Sequence, residues 1–180
     1  MSDEMLMNRA VVQVGLGNFG KRHLEAWHRL GFSSRLWIAE PDERKWSEAV
    51  RYQVPCERIV RRLSDALPHV DLVDIVTPTE HHLDVCLAAL EAGKDVFIEK
   101  PIAVKVTSEL EELNKLVSEK KLLSMVGCNM RFHTAVSTLK EAMKKEQLGK
   151  IYSAHVYFGQ YLPSWRKVDY RKTYSAKAAE

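Results

Sequence analysis

Lys100 stands where the apolar run Asp95-Val96-Phe97-Ile98 breaks into Glu99-Lys100-Pro101. An amine placed there can give or take a proton, or polarise a carbonyl, once burial lowers its pKa. The plainer reading is a strand-end lysine in solvent. A second stretch, Val11-Val12-Gln13-Val14-Gly15-Leu16-Gly17-Asn18-Phe19-Gly20-Lys21, reads as a buried strand, a glycine-rich turn and a helix start. Gly15 allows the tight turn, Gly17 leaves the backbone open to a pyrophosphate, and Gly20 lets the helix pack close to the strand. The backbone N–H groups around Asn18 and Phe19, at the positive end of the helix dipole, would then face the phosphates. Glu40 follows the last glycine by about 20 residues, the spacing of a carboxylate that bonds the adenosine ribose hydroxyls. Such a carboxylate would repel a 2′-phosphate, so NAD is favoured over NADP, with Arg35 and Arg44 close enough in sequence to soften the preference. The alternative reading of Glu40 is an acid at a helix start, ahead of Pro41.

The elements that must position these residues alternate along the chain. Helices are expected over Asn18–Leu30 (with Leu24, Trp27 and Leu30 on one face), Pro41–Tyr52, Ser64–Leu67, Glu80–Ala92 and from Thr107 or Ser108 to Lys120. Ser64 and Thr79 are candidate caps. Strands are expected after Val11 and over Leu36–Ala39, Ile59-Val60, Asp71–Val76, Asp95–Ile98 and Leu122–Val126. This alternation implies βαβ units, a parallel sheet, and a site at the carboxyl ends of the strands. Those ends carry Thr77-Pro78 with His81 and His82 beyond, then Glu99-Lys100-Pro101, then Asn129 and Arg131.

The 180 residues, 46% hydrophobic and 28% charged, suit a soluble globular chain with one good-sized domain or one domain and part of another. A net charge of +3 with interspersed signs does not suggest nucleic acid or a membrane surface as partner. Arg58, Arg61 and Arg62 read as a solvated face. Met1–Arg9 lacks a signal-peptide core, and no apolar run reaches the roughly 18 residues of a membrane span. Cys56, Cys86 and Cys128 fit reduced thiols, and a cytoplasmic location is expected. No metal-ligand pattern stands out.

Gly15-x-Gly17-x-x-Gly20, Thr77-Pro78-x-x-x-His82, Ala92-Gly93-Lys94-Asp95-Val96-Phe97-Ile98-Glu99-Lys100-Pro101 and Val126-Gly127-Cys128-Asn129-Met130-Arg131-Phe132 occur in that order. Together they resemble the Gfo/Idh/MocA oxidoreductases, over nearly the whole chain, with Glu-Lys-Pro after Ala-Gly-Lys the most specific part. The resemblance implies an α/β fold: a Rossmann-type NAD(P)-binding domain at residues 1–128, then, over 129–180, a connecting helix and the start of an α/β open-sheet domain for substrate and oligomerisation. It implies hydride transfer between a nicotinamide and a secondary alcohol of a sugar, cyclitol or sugar derivative. Lys100 matches the active-site lysine, and Pro101 a proline commonly preceded by a cis peptide. Thr77, Pro78, His82, Glu99 and Asn129 match positions lining the cofactor, although His82 could equally be a packing residue. His81 is read as a solvated helix residue.

Beyond this, Thr134–Leu148 reads as an amphipathic helix ended by Gly149, and Ile151–Tyr161 alternates as a strand does. In the family, Tyr157, Tyr161, Trp165 and Arg166 would lie near cofactor or substrate; otherwise they are edge-strand aromatics and a loop cation. The glycine-rich stretch and the helix bearing an Asp and a His, usual partners of the lysine, are not found, so the chain looks like the first half of a longer protein. An unpaired strand at Ile151–Tyr161 would favour self-association, and a homo-oligomer is expected of the full-length form. Two other functions stay open: an NAD-binding sensor without turnover, and a family glycosidase that uses NAD transiently.

Overall fold

A strand covered on both faces must be apolar on both, and Val11–Val14, the first strand (β1), is buried along its whole length. The structure, a computed structural model, describes residues 8–106 and 108–159 together with 161, 163, 169 and 171. It divides into two units, Met1–Met130 and Arg131–Glu180.

In the first unit β1 is joined by β2 (Leu36–Ala39), β3 (Ile59–Val60), β4 (Leu72–Ile75), β5 (Asp95–Ile98) and β6 (Ser124–Val126). They form one sheet of order β3-β2-β1-β4-β5-β6, with every pairing parallel. The connections carry helices α1 (Asn18–Arg29), α2 (Trp46–Arg51), α3 (Leu63–Ala66), α4 (His82–Glu91) and α5 (Ser108–Glu119). The order reverses at β1, flanked by β2 and β4, so a crevice opens beyond the carboxyl ends of β1 and β4.

Alternation along the strands divides the core. Val12, Val14, Val73, Ile75, Val96 and Ile98 pack with Cys86, Ala89 and Leu90 of α4 and Leu113 of α5. Val11, Leu36 and Ile38 pack with Leu24 of α1 and Ala49 of α2. Burial pushes the Cys86 thiol up to about 11. Two positions in the middle strands break the apolar pattern. Gln13 and Asp74 are cross-strand partners, and both are fully buried.

The six expected strands and the order of the helices match the structure, and several details differ. Leu30 is 59% exposed and caps α1 rather than joining its inward face, because the helix ends at Arg29 and Gly31 turns the chain with φ +76°. Pro41–Tyr52 is not one helix. The Asp42 side chain accepts from the Arg44 N–H and starts a 3-10 turn at Glu43–Lys45, and the α-helix begins only at Trp46. Ser64 lies inside α3 and bonds Asp65 instead of capping. Thr79 opens a 3-10 turn after Pro78, whose extended backbone delays the α-helix to His82.

In the second unit, helix α6 spans Thr134–Lys144, capped by His133, whose Nδ1 accepts from the Ala135 N–H. It ends before the expected Leu148, because Glu146 turns left-handed at φ 55°. The expected strand at Ile151–Tyr161 is not formed at 151–159 or 161. A strand exists through its ladder to a neighbour, and among the described residues none pairs with this stretch. Trp165 and Arg166 lie outside the described residues.

The corrected face of α1 has a measurable consequence. Leu24 is fully buried, so Leu24→Ala should cost about 3 kcal/mol in urea denaturation, whereas Leu30→Ala should stay within about 0.5 kcal/mol.

Candidate dinucleotide site

The turn after β1 is shaped by what its glycines would strike. Gly15 sits at φ +104°, and a Cβ on it would come within 2.9 Å of the Val76 carbonyl oxygen. A Cβ on Gly20 would collide with the Gly15 carbonyl oxygen. Helix α1 therefore starts directly against the end of β1. The Gln13 side-chain amide reinforces this, donating to the carbonyls of Gly15 at 2.9 Å and Gly20 at 2.8 Å. Gly17 is different: a Cβ there would meet nothing within 4 Å, and its φ of −70° suits any residue. No side chain caps α1, and its first turn carries no acid. Asn18 and Phe19 are exposed at that start. The 12-residue helix thus presents unpartnered first-turn N–H groups above an open glycine.

Glu40, at the end of β2, is 3% exposed. One carboxylate oxygen accepts from the Leu16 N–H at 2.7 Å, inside the glycine turn itself. The other accepts from the Asp42 N–H at 3.1 Å and from Lys45 Nζ at 3.0 Å. The side chain once read as a helix-start acid or a ribose acceptor is thus also a brace of the turn. Arg44 is turned to Asp42, holding that carboxyl below the usual range, and Arg35 lies over the Phe32 ring.

Beyond β4, Thr77 is half-buried, its hydroxyl oxygen is buried without a partner among the described residues, and Pro78 is exposed. His82 is buried at the start of α4, its ring nitrogens 2.9 Å from the carbonyl oxygens of Thr77 and Pro101. It ties the turn after β4 to the turn after β5. The Lys100–Pro101 peptide is cis. Lys100 is exposed, and its Nζ lies 5.9 Å from the centre of the Phe19 ring, so the amine reaches the start of α1. His81 is exposed. Asn129 is exposed after β6, where its N–H donates to the Gly127 carbonyl.

A further polar cluster, which the sequence motifs do not mark, lies between α1 and the middle strands. His23 of α1 places Nδ1 at 3.0 and 3.1 Å from the two Asp74 oxygens and Nε2 at 3.3 Å from Glu99 Oε1. Trp27, one turn on, donates its indole N–H to Asp74 at 2.7 Å. The other Glu99 oxygen accepts from the Lys100 N–H at 3.2 Å. Burial would lower the His23 pKa, but the hydrogen bond and charge of Asp74, then those of Glu99, outweigh it and the pKa is raised. The signal for this cluster is an Asp inside an apolar strand facing a helix with His23 and Trp27 at i, i+4 spacing. The same signal, a polar residue in a strand covered on both faces, marks Gln13.

These residues fit a dinucleotide. The open side of Gly17 and the start of α1, uncapped among the described residues, lie at the carboxyl end of β1, and Thr77, with a buried hydroxyl that no described residue satisfies, follows the neighbouring β4 at the switch point. Among the described residues, no group of three or more His, Cys, Asp or Glu could hold a metal ion, and no helix is long and apolar enough to cross a membrane.

Comparison with known proteins agrees with this geometry. The chain is 31% identical over 171 residues to levoglucosan dehydrogenase of Pseudarthrobacter phenanthrenivorans, covering 89% of this chain and 42% of that protein. It matches the crystal structure of UDP-N-acetylglucosamine 3-dehydrogenase GnnA of Acidithiobacillus ferrooxidans with a TM-score of 0.66 and 29% identity, over 74% of this chain and 41% of that one. It also matches the WlbA dehydrogenase of Chromobacterium violaceum, solved with NADH and UDP-GlcNAcA, with a TM-score of 0.69 and 26% identity over 80% of this chain and 42% of that one. The chain thus spans about two fifths of the length of the relatives it matches. The family profile described as an oxidoreductase family with an NAD-binding Rossmann fold matches residues 9–128, and the chain belongs to that family, Gfo/Idh/MocA.

Proposed function

We propose that this chain is the dinucleotide-binding part of an NAD-dependent dehydrogenase that acts on a secondary alcohol of a sugar, cyclitol or sugar derivative. The observation that carries the reading is the turn at Gly17: an open backbone beneath an uncapped helix start, with Lys100 reaching the same helix start over Phe19. The 31% identity to a levoglucosan dehydrogenase supports the substrate class. A cytoplasmic protein that forms homo-oligomers at full length belongs to the same proposal.

In this reading the N–H groups at Asn18, Phe19 and Gly20 hold the pyrophosphate, and the remaining lone pairs of Glu40 receive the ribose hydroxyls. Thr77, Pro78, His82, Glu99, Pro101 and Asn129 shape the floor and far wall of the crevice. Bound there, the nicotinamide supplies the hydride acceptor or donor. Lys100 handles the other half of the chemistry: as the amine it takes the hydroxyl proton when the alcohol gives up hydride, and as the ammonium it polarises the carbonyl oxygen and returns that proton in the reverse direction. Lys100→Ala should then keep NADH affinity within about threefold while turnover falls by about a thousandfold in a chain long enough to turn over substrate. Unchanged turnover would remove Lys100 from the mechanism.

Because a side chain at Gly17 strains nothing in the folded chain, Gly17→Val separates cofactor binding from folding. Stability should stay within about 1 kcal/mol of the parent, while NADH affinity, followed by quenching of Trp27 and Trp37, falls by about a hundredfold. Equal affinity in the folded variant would show that the glycine turn is only a turn.

Lys45 bears on cofactor choice. Its ammonium neutralises Glu40 from 3.0 Å and stands beside the place a 2′-phosphate would take. The discrimination against NADPH is therefore softened by Lys45 rather than by Arg35 or Arg44, which are turned elsewhere. In parallel titrations, Lys45→Ala should raise the ratio of the NADPH to the NADH dissociation constant by about tenfold, since it bares the Glu40 charge. A fall in that ratio would contradict the assignment.

A further inference from the structure

His23 is not needed to hold phosphates and does not reach Lys100, yet it connects the helix of the glycine turn to the turn that carries the lysine. Both ring nitrogens face carboxylates, Nδ1 toward Asp74 and Nε2 toward Glu99. Two carboxylate acceptors can be served only by a ring with a proton on each nitrogen. The neutral ring has one lone pair, which must then point at a carboxylate oxygen.

The two sides are unequal. Asp74 is fully buried, sits close to Nδ1 with both oxygens and takes a second donor from Trp27. Glu99 is held by the longer 3.3 Å contact and, apart from it, by the N–H of Lys100. On losing its second proton the ring keeps its N–H toward Asp74 and turns its lone pair on Glu99. Glu99 Oε1 fits against Gly127, where a Cβ would come within 2.7 Å of it. Repulsion from the ring lone pair shifts that carboxylate away from His23, and with it the turn whose Lys100 N–H the carboxylate holds. The crevice then also gains an unneutralised negative charge beside an anionic cofactor.

No other charge facing the ring offsets this. Its ionic partners among the described residues are Asp74 on β4 and Glu99 after β5. From β5, Phe97 stacks on it at 5.8 Å, and from its own helix Trp27 is neutral. Arg22 and Lys100 face the Phe19 ring.

We infer that His23 is a positioning residue for the Glu99-Lys100-Pro101 turn, and that NADH binding weakens as the ring passes from doubly to singly protonated. The inference rests on the dinucleotide reading above. The raised pKa sets the direction: the folded state holds the second proton above the ordinary histidine value of 6.5, so the bridge is intact below that pH and is lost as pH rises through the folded-state value.

The test combines an NMR titration of the His23 ring with NADH binding by calorimetry from about pH 5.5 to 9, on the chain as it stands and on His23→Gln and Glu99→Gln. The expected result is a His23 midpoint above 6.5 and an NADH dissociation constant that rises about tenfold across that same midpoint. In both variants that rise should be absent at the His23 midpoint, and Glu99→Gln should bring the midpoint down. A histidine that only holds the helix in place would lower the melting temperature when replaced and leave the pH profile of binding intact. A midpoint at or below 6.5, or a tenfold rise that persists in either folded variant, overturns the inference while leaving the cofactor reading standing. A folded parent chain that binds no NADH at any pH overturns both.

Discussion

Everything at this site depends on how closely helix α1 approaches the sheet. Gly20 lies so near the Gly15 carbonyl that no side chain fits between them. The Gln13 amide spans that junction, donating to the carbonyls of both Gly15 and Gly20. A buried glutamine inside an apolar strand costs free energy unless its polar atoms are used. Here its nitrogen is used fully, while its buried oxygen has no partner among the described residues. The start of α1 is thereby held firm before any phosphate arrives, so its free N–H groups need little further ordering to meet one.

The same closeness organises the charges. A helix laid flat on a parallel sheet brings its inward polar residues over the middle strands, and Asp74 receives both His23 and Trp27. Glu40 performs the corresponding task on the other flank, accepting from Leu16 within the turn. Each buried carboxylate ties the glycine turn or its helix to a neighbouring strand, and each is matched by a donor. Three turns, after β1, β4 and β5, are so joined into one rim: Gln13 and Glu40 hold the first, His82 spans the second and third, and His23 reaches from the first helix to the third.

Much of this was legible in the order of residues because parallel sheets impose strong local rules. Apolar runs of four, helices between them and glycines at one turn leave few topologies open, and the six strands follow. Gly15 and Gly20 are legible for the same reason, since each answers a distinct steric demand, whereas Gly17 meets none within the chain. What was not legible is what depends on contact between distant elements. Nothing in the spacing says that Glu40 bends back to Leu16, that Lys45 rather than Arg44 neutralises it, or that Glu99 turns toward a histidine 76 positions away. Local caps were also misjudged: Ser64 and Thr79 are good cap residues by type, but Asp65 and Pro78 decide the backbone there. The alternating stretch at Ile151–Tyr161 shows the limit of periodicity. Period two describes a chain ready to pair, and the ladder itself requires a neighbour.

Binding a dinucleotide and using it make different demands on this fold. On the proposed reading, the phosphate and ribose contacts would come from β1, β2 and α1, elements close in sequence within the unit Met1–Met130. Proton handling would fall to Lys100, which in that unit is exposed and rests over Phe19. An ammonium in water interacts with a substrate oxygen through a high dielectric. To act at neutral pH it must be surrounded by groups that exclude water or compete for its charge, and the parallel sheet edge supplies neither above Lys100. On that reading, affinity for the cofactor would be a property of the sheet and its first helix, and reactivity a property of what surrounds the lysine. Substrates could then change across such a family without disturbing the dinucleotide site.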